Sequence, residues 1–86
     1  MDVLSHKKLA ENALIKAKEM LETNDKSLHL TILHFAHVAR LHYEYSSMDK
    51  SDEEYLKNMA EADDFLIEVC HKIGLEDTAK FIENNR

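Results

Sequence analysis

His34 and His37 stand three residues apart, a spacing that on a helix lets both imidazoles share one face, and two such rings are the start of a transition-metal site. Glu44 lies two turns beyond His37, about 10 Å along a helix axis at 1.5 Å per residue. A second grouping, Glu68-Val69-Cys70-His71, puts an acid and a histidine at i and i+3 around the only thiol of the chain. Cys70 falls on an apolar stripe, where a free thiol behaves as a small hydrophobe, and His71 points about 100° away on the same helix, so no thiol–imidazole nucleophile is expected. The sequence also lacks a Gly-rich phosphate loop and a serine elbow.

The spacing of Glu68 and His71 is that of carboxylate-bridged di-iron bundles, which need the motif twice together with two further inward glutamates. Here it occurs once, with both side chains directed away from the apolar stripe. A packed or interface pair is therefore the default for His34 and His37, and no catalytic residue, cofactor or metal is expected. The stretch Ala36-His37-Val38-Ala39-Arg40-Leu41 resembles the phosphoacceptor segment of histidine phosphotransfer domains, which are also helical bundles. Such a segment has a small residue one turn after the histidine, and Leu41 stands there; the base three positions on is present as Arg40. The resemblance covers six residues and implies His37 phosphotransfer, which stands with metal binding by the histidines as a further alternative.

The element that must position these groups is Ser27 to Tyr45, SLHLTILHFAHVARLHYEY, which holds four of the six histidines. Helical periodicity places Leu28, Ile32, Phe35, Ala36, Ala39 and Tyr43 on a core stripe. The other side carries Leu30, Leu33, His34, His37 and Leu41, bordered by Arg40 and Glu44. A helix apolar on two sides is expected either to lie between neighbours or to meet a second chain. It is too short and too rich in His and Arg to span a bilayer.

The rest of the chain reads as helix. One Gly and no Pro in 86 residues disfavour a turn-rich β fold. The expected fold is all-α, one domain over residues 1–86: an up-down-up three-helix bundle over about 3–22, 26–46 and 52–73, closed by a short fourth C-terminal helix over 75–84. Asp2 is the expected N-cap of the first helix, whose inner face is Val3, Leu9, Ala10, Ala13, Leu14, Ala17, Met20 and Leu21, with Leu4 and Ile15 on its back. Asp25 or Ser27 can cap the second. Ser51 and Glu54 suit a capping box for the third, and Gly74 a left-handed C′ cap. Tyr55, Leu56, Met59, Ala60, Leu66, Ile67, Cys70 and Ile73 are expected inward on the third helix. Leu75, Ala79, Phe81 and Ile82 are expected to cover one end from the fourth. Asp63 falls on the third helix's inner face and requires a donor, with Arg40 or a histidine as partner in a polar lock.

The net charge of −6 is confined to one region. Between Asp49 and Glu68 eight acids face Lys50 and Lys57, a local net of −6, while the other nine acids and nine bases cancel. Direct nucleic-acid binding, which needs clustered bases, is disfavoured, and a basic protein partner is expected on the acidic third helix through Glu54, Glu61, Asp64 and Glu68. Leu30, Leu33, His34, His37 and Leu41 form the expected self-association surface, giving a homodimer. The expected function is thus a regulatory protein-interaction module, not an enzyme. The alternative is an inhibitor of the mobile-element type, mimicking nucleic acid in a basic groove. One cysteine suits a reducing compartment, and Met1 to Lys8 lacks a signal-peptide core, so a cytoplasmic protein away from membranes is expected.

Overall fold

The computed structural model describes the backbone of residues 3–86 and the side chains from Ser5 onward. The expected Asp2 cap and the side chains of Val3 and Leu4 lie outside the described residues. Four helices follow one another, α1 (Val3–Glu22), α2 (His29–Glu44), α3 (Glu53–Lys72) and α4 (Glu76–Asn84), with a 3-10 turn at Lys26–Leu28 leading into α2. No strand occurs among the described residues. α1 packs on α2, α2 on α3 and α3 on α4, so α2 has a neighbour on each flank.

The boundaries follow from local chemistry. α1 ends where Asn24 adopts a left-handed φ of 57°, a conformation Asn tolerates better than most residues. Asp25 then caps the 3-10 turn, its Oδ1 accepting from the Ser27 amide at 2.9 Å and hydroxyl at 2.7 Å. The second helical segment therefore starts three residues later than a continuous α-helix from Lys26 would. At α3 the expected capping box does not form: Asp52 is the N-cap and accepts from the Tyr55 amide at 3.0 Å. Ser51 instead binds Asp49, and Glu54 reaches Lys7 on α1. Gly74 is left-handed at φ 87°, with the Leu75 amide donating to Cys70 O at 2.8 Å and the Gly74 amide to His71 O at 3.4 Å. That pair of bonds is the Schellman ending of α3.

The core draws on all four helices. Ala10, Ala13, Leu14 and Ala17 of α1 meet Ile32, Ala36, Ala39 and Tyr43 of α2, with Leu66, Val69 and Cys70 of α3 and Ala79 of α4 completing it. Small residues at the middle of α1 and α2 let these helices approach closely. The inner face of α3 is turned relative to expectation: Ala62, Phe65 and Val69 are buried, whereas Leu56 and Ala60 are exposed. Leu9 on α1 is likewise 40% exposed. α4 covers less than its composition promised: Ala79 is buried and Ile82 partly so, while Leu75 is 39% and Phe81 68% exposed.

Candidate interaction surface

Opposite the buried face of α2 lies a line of exposed side chains. Leu30 is 78% exposed and Leu41 48%, with exposed His34 and His37 between them and half-buried Leu33 alongside. At about 100° per residue, Leu30, His34, His37 and Leu41 fall within roughly 60° of one another on the helix. Half-buried Phe35 leans toward α1, where Lys16 Nζ lies 5.9 Å from its ring centre. Arg40 leans the other way, toward α3. Flanking α1 and α3 thus hold the sides of α2 and leave its outer edge free.

Beside His37 the surface dips into an open groove of about 560 Å³ between α2, α3 and α4. Leu66, Phe81 and Ile82 give it apolar walls, and Arg40, Asp63 and Arg86 supply charge. Arg40 Nε donates to Asp63 Oδ1 at 2.6 Å. Asp63 is buried and Arg40 half-buried, so one oxygen of a carboxylate largely withdrawn from water has its donor in place. The basicity of His37 is lowered, first by burial, then by the Arg40 charge and by His34, which favours a neutral imidazole on this surface. Phe81, 68% exposed across the groove, extends the apolar surface. Helical spacing alone directed it inward; its exposure follows from how α4 docks on α3 through Ala79.

The four acids expected to face a partner are exposed on α3, but each has a base of the same chain beside it. Glu54 pairs with Lys7 and Asp64 with Arg86, Glu61 with Lys18 at 3.3 Å, and Glu68 with Lys72 at 4.0 Å. The negative stripe is therefore bordered by its own cations, two of them supplied by α1.

The remaining histidines serve contacts between elements. His6 and His42 approach Nδ1 to Nδ1 at 2.9 Å, so one of the two nitrogens carries the proton and the other accepts it, and Tyr45 lies against His6 at 5.6 Å between ring centres. His71 bridges α3 to α4, its Nδ1 2.5 Å from Glu76 and its Nε2 3.2 Å from Glu83, and these two carboxylates raise its basicity, Glu83 foremost. Among the described residues no three His, Cys, Asp or Glu side chains gather as a metal site. Cys70 is fully buried and burial pushes its thiol pKa up, away from nucleophilic thiolate chemistry. Tyr43 and Tyr55 are buried, leaving only Tyr45 of the three tyrosines at the surface. No helix among the described residues is long and apolar enough to cross a membrane. Comparison with protein-family models, curated proteins and solved structures finds no match to this chain.

Proposed function

We propose that this chain is a non-catalytic protein-interaction module, an up-down-up bundle in one domain, that self-associates through the outer face of α2. The observation that carries the reading is the line Leu30, His34, His37 and Leu41, exposed opposite the core with leucines at both ends. Isolated exposed leucines are ordinary, but an aligned set continued across the groove by Phe81 is the kind of apolar surface that marks association. A C2 dimer is the commonest way a soluble protein covers such a surface. A basic partner on α3 is a secondary contact, since exposed ion pairs contribute about 0–1 kcal/mol each and can exchange their cations. Nucleic-acid mimicry ranks below it, because Lys7, Lys18, Lys72 and Arg86 occupy the acids that would imitate phosphates.

Sedimentation at micromolar concentration tests the main claim against a chain mass of 10.0 kDa. A species of twice that mass is expected, converting to monomer in Leu30→Glu and Leu41→Glu while the far-UV spectrum stays helical. A wild-type monomer at these concentrations would sink it. The association should persist at high salt, whereas a phosphate mimic would lose its partner steeply.

A further inference from the structure

Four residue pairs of α2 match about the point between Phe35 and Ala36, while Thr31 and Arg40, Ile32 and Ala39, and Phe35 and Ala36 do not. His29 answers His42 and Leu30 answers Leu41; closer in, Leu33 answers Val38 and His34 answers His37. Two of these pairs, Leu30 with Leu41 and His34 with His37, make up the exposed outer line of the helix. A two-fold axis perpendicular to a helix runs the second copy antiparallel and exchanges residues equidistant from the axis. Placed at this midpoint, it sets each leucine against a leucine and each imidazole against an imidazole. A slip of one turn sets leucine against histidine instead. A parallel pair also matches like with like, but it brings Glu44 against Glu44 and Arg40 against Arg40 at the borders of the stripe. The antiparallel pair sets Arg40 at the level of Thr31 and Glu44 at the level of Ser27, so no like charges meet.

Resting on the reading that α2 self-associates, we infer that its partner is a second copy of this chain in that one register: antiparallel, with the two-fold axis between Phe35 and Ala36. Leu30 then packs on the partner's Leu41 at both ends of the contact, and His34 on the partner's His37 at its centre. With α4 docked, both ends of this line stay open, Leu30 78% and Leu41 48% exposed.

Single cysteines test the register, with native Cys70 fully buried and out of reach of oxidant. In the inferred pair, residue 30 lies beside the partner's residue 41, while the two copies of residue 30 are about 16 Å apart at 1.5 Å per residue. A disulfide needs Cα atoms about 4.4–6.8 Å apart. Leu30→Cys and Leu41→Cys are prepared separately, one labelled with nitrogen-15, and oxidised mildly alone and as an equimolar mixture. The expected result is a covalent dimer in the mixture only, carrying one labelled and one unlabelled chain by mass spectrometry. Covalent dimers from either variant alone would overturn the register in favour of a parallel or shifted pair. A noncovalent dimer in sedimentation that gives no crosslink in any sample would overturn it in favour of another face, leaving self-association standing. A monomer in sedimentation would sink the underlying reading itself.

Discussion

Arg40 and Asp63 meet across the seam between α2 and α3, Nε to Oδ1 at 2.6 Å, with the Asp63 side chain 12% exposed and the Arg40 side chain 40% exposed. The asymmetry of burial decides the energetics. Removing Arg40 strands a carboxylate that water reaches poorly, whereas removing Asp63 frees a guanidinium that water already reaches. Arg40→Ala is expected to destabilise by about 1–3 kcal/mol, below the range of fully buried pairs because half the contact is solvated. Asp63→Ala should cost less, and the double variant should cost less than the two single losses added. Urea denaturation of the four proteins reads this out. If Asp63→Ala leaves the melting temperature and the titration of neighbouring histidines unaltered, the pair is not a lock between the helices.

The Arg40–Asp63 seam and the four helices were legible because both depend on local signals: apolar residues at helical spacing, one charge among them, and Gly74 at a helix end. What was not legible depended on the angle at which helices meet. Leu56 and Ala60 are apolar and in phase with Met59, so spacing alone turned the α3 face toward them; contacts with α1 and α2 favour Ala62, Phe65 and Val69 instead. Phe81, expected to cover the end of the bundle, stands 68% exposed because α4 docks on α3 through Ala79. The partners of the α3 acids are long-range as well: Lys7 and Lys18 stand more than forty positions before Glu54 and Glu61, and periodicity within one helix carries no record of them.

His71 is expected to make the attachment of α4 dependent on pH. Its basicity in the folded chain is raised by Glu83 and Glu76, so the folded state holds this proton more tightly than the unfolded one. The stabilisation is fully present below the unfolded imidazole value of about 6.5 and is lost as pH rises through the higher folded value. Amide exchange in α4 is expected to gain more on going from pH 6 to pH 8 than the intrinsic base-catalysed increase explains. His71→Gln should remove that excess. An excess that survives the substitution would show that other groups hold α4.

Gly74 has room for a methyl group, since a Cβ there would meet nothing within 4 Å, yet its φ is +87°. The objection to a side chain is thus conformational rather than steric. Gly74→Ala is expected to cost about 1–2 kcal/mol, the typical penalty of an L-residue in the left-handed region, and Gly74→Asn less. Thermal melts rank the three proteins. Equal melting temperatures for Gly and Ala would mean that the α3–α4 connection readily takes another path.

The start of α3 distinguishes two caps that the sequence offers side by side. Ser51 with Glu54 has the pattern of a capping box, but Asp52 is the residue with extended backbone, φ −60° and ψ 130°, and its carboxylate accepts from the Tyr55 amide. A carboxylate at this position also meets the positive end of the helix dipole. Asp52→Ala is therefore expected to destabilise by about 0.5–2 kcal/mol, and Asp52→Asn by much less because the amide oxygen still accepts. Ser51→Ala should stay within about 0.5 kcal/mol, the usual effect of a surface substitution that removes no helix cap. Glu54→Gln should act through Lys7 instead, weakening the link to α1 in a salt-dependent way. Chemical denaturation of Asp52→Ala and Ser51→Ala under one set of conditions decides the matter. A larger loss for Ser51→Ala than for Asp52→Ala would restore the capping box and move the start of α3 back by one residue.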